Sequence, residues 1–219
     1  MHTYYSEFGQ DKYLNEQVFH KKERGVFLDV GAANGINLSN TYYFERFMHW
    51  TGLCIEPRKQ TFNILQKNRT CICENICIAN NAHGSEEFTE FTGNWLPLLS
   101  GLERNFYPEH QEKIREGLEQ KYYKHQAFKY PVTSCKLQEL LVKHALYEID
   151  YCSIDTEGSE LEILQSIDFS SASITAFSIE NNYNNQEIES FMRRKGYDLA
   201  CRIGKAQYAL DEIYLKRSV

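Results

Sequence analysis

No stretch of this 219-residue sequence approaches the ~18–20 consecutive apolar residues needed to cross a bilayer, so no membrane span is expected. Residues 1–10 hold no apolar core of the kind a secretory signal requires. A soluble, cytoplasmic protein is therefore expected. Basic charge is also short. Lys and Arg number 24 against 30 Asp and Glu, a net charge of −6, which removes any general attraction to nucleic acid or an anionic lipid surface. Arg58-Lys59 and Arg193-Arg194-Lys195 are the densest basic spots, and both read more simply as solvated helix faces. A disulfide framework is missing too. The seven cysteines (Cys54, Cys71, Cys73, Cys77, Cys135, Cys152, Cys201) are odd in number and sit mostly in apolar runs, as free buried thiols in a reducing compartment do. Cys71, Cys73 and Cys77 lack the second pair of a zinc site. Strand alternation accounts for Cys71 and Cys73, and no metal is assigned.

What is present is an ordinary globular composition, 42% hydrophobic and 25% charged. It lies on a chain long enough to bury a core without staples. Residues 1–219 are expected to form a single domain. Strand-like apolar runs fall at 25–31, 52–56, 71–79, 85–92, 149–154, 174–180, 197–202 and 208–216, and helical spacing at 40–50, 58–67, 136–146, 159–166 and 186–195. In the helix at 159–166, Glu160 and Glu162 are expected outward, with Leu161 and Leu164 inward. Repeated β-α-β order predicts an α/β fold with a mostly parallel sheet covered on both faces. The last two strands, with no helix between them, predict an antiparallel edge hairpin. Residues 93–129 break the rhythm with Trp95, Phe106, Tyr107, Tyr122, Tyr123 and Phe128 among charges. Such an insertion reads as a cap over a ligand site, or equally as an outer helix with a satellite core.

Four strand ends carry the chemistry. Asp29-Val30-Gly31-Ala32-Ala33-Asn34-Gly35 follows an apolar strand and precedes a helix. Its glycines allow a tight turn and close approach of a ligand to the backbone. It is neither a Walker loop nor a full Gly-x-Gly-x-x-Gly. Asp29 suits a cationic amino group better than a diphosphate. Glu56-Pro57 ends the next strand, where a carboxylate can accept both hydroxyls of a ribose. Asp155-Thr156-Glu157-Gly158-Ser159-Glu160 lies where a third strand exits into a helix. Thr156 or Ser159 can cap that helix, but two carboxylates at a shared edge raise each other's pKa and call for a role as base or clamp. Glu180-Asn181-Asn182 ends the following strand, where a plain turn explains the asparagines as well.

Taken together, these segments resemble the FkbM-type S-adenosylmethionine (SAM) methyltransferases. The likeness rests on Asp29-Val30-Gly31-Ala32 with Gly35, Gly52-Leu53 with Ile55-Glu56-Pro57, Ile154-Asp155-Thr156-Glu157-Gly158 with Glu160, and Asp211-Glu212-Ile213-Tyr214. Ser6-Glu7-Phe8-Gly9-Gln10-Asp11 and Ser39-Asn40-Thr41 match as well, so the likeness spans nearly the whole chain in order. Glu7 stands where the family usually has Gln, Ala33 where Asn is common, and Asn181-Asn182 where a His is often found. The resemblance implies a Rossmann-like class I methyltransferase with a seven-stranded sheet. It also implies O-methylation of a small molecule or glycan, most often at a sugar hydroxyl. The cofactor residues it implies are Gln10, Asp29, Gly31, Ala32, Asn34, Gly35, Ser39, Glu56, Pro57 and Asp155. Asp29, Gly31 and Asn34 would hold the methionine part, Glu56 the ribose, and Gln10 and Ser39 would close over the cofactor. Asp155, then Glu157 and Glu180, are the expected catalytic carboxylates. Two other readings stay open: a nicotinamide-dependent oxidoreductase, against which the missing third glycine speaks, and a non-catalytic SAM-fold module of a larger glycan-modifying protein.

Overall fold

The computed structural model describes residues 3–80, 84–93, 95–120, 125–205 and 209–217. Met1, His2, Tyr122, Tyr123 and Tyr208 from the expectations above lie outside the described residues. The main sheet contains β1 (Val26–Val30), β2 (Thr51–Ile55) and β3 (Ile72–Glu74). A second, three-stranded sheet takes β4 (Cys77–Ile78), β5 (Ser85–Thr92) and β6 (Gln126–Cys135) in the order β4-β6-β5. The main sheet resumes with β7 (Glu148–Ile154), β8 (Ser173–Glu180), β9 (Tyr197–Lys205) and β10 (Ala209–Lys216), giving the order β3-β2-β1-β7-β8-β10-β9. Strands β3 to β8 of this sheet pair in parallel, while β10 runs antiparallel to both β8 and β9. The expected seven-stranded, mostly parallel sheet with an antiparallel edge hairpin is therefore what forms.

Side-chain alternation explains why β1 is covered on both faces. Phe27 faces a cluster with Phe44, Trp50, Phe62, Leu65 and Tyr151, whereas Leu28 and Val30 face Leu137, Leu141, Cys152, Ile163 and Leu164. The first cluster lies under α2 (Tyr42–Met48) and α3 (Lys59–Asn68), and a short entry helix α1 (Gln10–Tyr13) continues into a π-helical turn whose Leu14 is buried there. The opposite face is closed by α5 (Leu137–Lys143), α6 (Glu160–Gln165) and α7 (Gln186–Arg194). On α7, Ile188 and Met192, four apart, point inward, and Asn185 caps the helix by accepting the Glu187 N–H at 2.9 Å. Each such buried aliphatic side chain contributes ~1.5–3 kcal/mol. One more helix, α4 (Pro108–Leu118), sits in the stretch between β5 and β6, where His110, Ile114 and Gly117 are its buried residues.

Two expectations are corrected here. The run at 71–79 splits: β3 stays in the main sheet, and β4 joins β6 in the small one. Glu160 of α6 points inward, 4% exposed, and Leu161 is only partly buried. The reason is local. Glu160 accepts the Thr156 N–H (3.0 Å), the Thr156 hydroxyl (2.9 Å) and the Gly158 N–H (3.1 Å), and so closes the loop that leads into its own helix.

Candidate active site

Strand register builds the site. Val30 pairs with Ile55 on one side and Ile154 on the other, Ile154 pairs with Ile179, and Glu180 pairs with Asp211. One step beyond those pairs, Glu56, Gly31, Asp155 and Glu180 fall in a row along the carboxyl edge, and Asp211 faces the last of them. The strand order reverses between β1 and β7, the crevice where open α/β sheets bind ligands. A cleft of about 1300 Å³, measured out to its mouth, opens there.

Gln10, Asp29, Gly31, Ala32, Ser39, Glu56, Pro57, Asp155, Glu157 and Glu180 all line this cleft. Asn34 and Gly35 are not among its lining residues. Asn34 Oδ1 accepts the Ile36 and Asn37 N–H groups, both at 2.9 Å. A Cβ on Gly35 would fall 2.5 Å from Leu65 Cδ1, so that glycine makes room for α3. Gly31 has φ +91°, and a Cβ there would lie 1.8 Å from the Asp155 carbonyl oxygen. Only glycine lets β1 turn so close to β7. The residue types fit a SAM-sized ligand. Glu56 is buried yet lines the cleft, its carboxylate fixed by Arg58 Nε at 2.9 Å, leaving lone pairs for ribose hydroxyls. Asp29 Oδ2 accepts from the Thr41 hydroxyl at 2.5 Å.

The far end of the cleft is acidic. Asp155, Glu157 and Glu180 each bring an oxygen within 4.8 Å of the others, a spacing that also suits a single cation. Asp155 is open to the cleft, but the cleft is concave, so the carboxyl is reachable and still poorly hydrated. Burial holds all three carboxyls well above the usual carboxylate range. The negative charges of Asp211, Glu160 and Asp29 add to this at Asp155, and those of Asp155 and Glu160 at Glu157 and Glu180. Lys113 and Arg58 act in the opposite sense on Glu157. Glu157 Oε2 is buried with no hydrogen-bond partner, and its backbone is left-handed at φ +59°. Asp211 accepts from Gln10 Nε2 (2.9 Å) and the Ser178 hydroxyl (3.0 Å), which ties the N-terminal segment across the cleft.

Residues 29–199 match the methyltransferase FkbM domain. The chain belongs to the FkbM methyltransferase family. SAM is accordingly its cofactor. No curated protein matches the sequence. Among solved structures, the fold resembles a TehB-like SAM-dependent methyltransferase from Corynebacterium glutamicum (TM-score 0.50, 8% identity, 97% of this chain and 89% of that one). It also resembles the METTL16 MTase domain (TM-score 0.51, 10% identity, 94% of this chain and 65% of that one). A protein of the NADB-Rossmann superfamily from Streptococcus agalactiae is similar to the same degree (TM-score 0.50, 10% identity, 100% of this chain and 72% of that one). Likeness at this identity establishes the class I methyltransferase fold, while the family match makes this fold a methyltransferase. The nicotinamide alternative loses its support.

In this FkbM methyltransferase the acidic end opposes stability. A carboxyl held above its unfolded value costs nothing below the unfolded pKa, ~4.3 for Glu. Stability is then lost as pH rises toward the folded value. Glu157→Gln should therefore raise the melting temperature at neutral and alkaline pH, by ~2–4 °C per kcal/mol relieved, and have no effect below pH ~4. Thermal unfolding across pH checks this, and a lower melting temperature at pH 8 would contradict it. Arg58, Asp211 and Arg69 were not singled out from sequence as parts of the site. Asp211 carried a signal, because it stands in the Asp211-Glu212-Ile213-Tyr214 motif. Arg69 stands in no motif at all.

Proposed function

We propose that this protein is an O-methyltransferase acting on a hydroxyl of a small molecule or glycan, most often a sugar hydroxyl, with Asp155 as general base. The observation that carries the reading is the row of strand ends: a glycine turn and Glu56 at one end of the cleft, and three carboxylates at the other. Asp29, Gly31, Ala32, Ser39, Glu56, Pro57 and Gln10 hold the cofactor in this reading. Asn34 and Gly35 act only by shaping the loop. When bound, SAM supplies an electrophilic methyl on a sulfonium. The chain's own residues align the acceptor oxygen and take its proton as the new bond forms. Asp155 is first in that role because it borders both the cofactor loop, through its N–H to Val30 O at 3.0 Å, and the open cleft. Glu157 and Glu180 orient the acceptor or share its proton. The net charge of −6 and the acidic cleft favour a neutral hydroxyl-bearing acceptor over a polyphosphate such as nucleic acid. All seven cysteines are free, in keeping with a reducing, cytoplasmic setting.

The reading is tested by calorimetry with SAM and with NAD, followed by transfer assays on a panel of sugars and glycans. Binding of SAM and methylation of a hydroxyl are expected. SAM binding with no transfer to any acceptor would favour a non-catalytic module.

The pH profile provides a second check. Only ionised Asp155 accepts a proton, and its carboxyl titrates above the ordinary value, ~3.9. Transfer should rise with pH through a limb above that value. After burial, Asp211 does most to raise Asp155. Asp211→Asn should move the limb to lower pH, and a limb that stays in place argues against Asp155 as the base.

A further inference from the structure

Asp29 is buried, 4% exposed, and burial pushes its carboxyl up. The titratable groups around it are Glu45 of α2, Cys54 of β2, Cys73 of β3, Tyr151 and Cys152 of β7, and Asp155. None of these is basic. The counter-charge comes from Arg69, the residue that ends α3, itself 5% exposed. Its Nη1 lies 3.7 Å from Asp29 Oδ2. Its Nη2 donates at 2.9 Å to Thr41 Oγ1, whose hydroxyl in turn donates to the same Asp29 oxygen. The remaining donors reach Gly35 O (3.2 Å), Ser39 Oγ (3.4 Å) and the Glu45 carboxylate. The rings of Phe27 and Tyr42 lie 5.1 and 5.7 Å from its guanidinium carbon. One planar fork thus ties the end of β1 to three points of the loop that follows it, which a lysine's single ammonium cannot do.

We infer that Arg69 is the positioning residue of the cofactor site, holding the loop at 35–41 and carrying the counter-charge that leaves Asp29 Oδ1 available to the cofactor's ammonium. This rests on the SAM reading above. Oδ2 is committed to Thr41 and Arg69, whereas Oδ1 has no partner among the described residues, and Asp29 lines the cleft. Without the guanidinium, Asp29 becomes a buried carboxylate with no opposing charge and tends to protonate. It then offers the ammonium a weaker, neutral acceptor. The loss should fall on the amino-acid end of the ligand and spare the adenosine end, which sits by Glu56.

Two probes separate this from a general loss of structure. S-adenosylhomocysteine carries the amino-acid group, whereas 5′-methylthioadenosine keeps the adenosine and lacks it. Calorimetry on wild type, Arg69→Lys and Arg69→Met should show S-adenosylhomocysteine weakened ~10-fold or more in Arg69→Met, the size of one lost charge-assisted bond. Arg69→Lys should fall between Arg69→Met and wild type. Methylthioadenosine should be essentially unaffected in both variants. Parallel weakening of both probes, or no change in either, overturns the inference. If Arg69→Met does not fold, Arg69→Lys and Thr41→Val decide the same comparison. A wild-type protein that binds neither probe overturns the cofactor reading itself, and this inference with it.

Discussion

Asp155→Asn is expected to lower methyl transfer by ~10²–10⁴-fold, the usual range for a lost general base, while S-adenosylhomocysteine still binds with near wild-type affinity. The asparagine keeps the size of the side chain and the backbone N–H to Val30 O that joins the two strand ends. It removes only the proton acceptor. It also takes one negative charge out of a cluster in which Glu160, Glu180 and Asp211 repel one another, so the variant should be at least as stable as wild type. Lost turnover together with retained fold and binding separates a catalytic residue from a structural one. Unchanged turnover would remove Asp155 from the mechanism and pass the role to Glu157 or Glu180.

Gly31→Ala is expected to have the largest effect on the fold. At φ +91° an alanine is strained, and its Cβ would sit 1.8 Å from the Asp155 carbonyl oxygen, backbone that cannot step aside alone. Relief requires β1 and β7 to part at the bonded end, where Asp155 N reaches Val30 O. A loss of more than ~4 kcal/mol places this among the exceptional substitutions. Cofactor binding should disappear with it, because the same turn forms the cleft floor. Urea unfolding and a cofactor titration check the two parts. A Gly31→Ala protein of wild-type stability would mean that the turn at this position is not the one described.

The strand ends were legible in the sequence because a parallel sheet buried on both faces produces near-continuous apolar runs that stop abruptly at polar residues. Gly31, Glu56, Asp155 and Glu180 each follow such a run, and parallel register then brings them into one row, with Asp29 two residues before Gly31 on β1. What was not legible depended on contacts distant in the chain. Strand β6 carries Pro131, which argues against a strand in any sequence reading. It is tolerated because the short β4 pairs only with Ser134 and Cys135, so among the described residues no strand pairs with that edge at Pro131. Glu160 has helical spacing that points outward, and it turns inward because the N–H groups of Thr156 and Gly158 need an acceptor. Asn34 and Gly35 belong to the motif by sequence, yet they serve the turn and α3. Arg69, the C-cap of α3, is visible only once that helix is laid against the loop.

The proposed function places the cofactor along the row of strand ends, with adenosine at Glu56 and the reacting end at Asp155. A crystal structure with S-adenosylhomocysteine tests it most directly. The ribose hydroxyls should lie on Glu56, the ammonium by Asp29, and the sulfur on the side facing Asp155 and Glu180. A ligand lying elsewhere on the molecule, or bound with its ribose away from Glu56, would contradict the account.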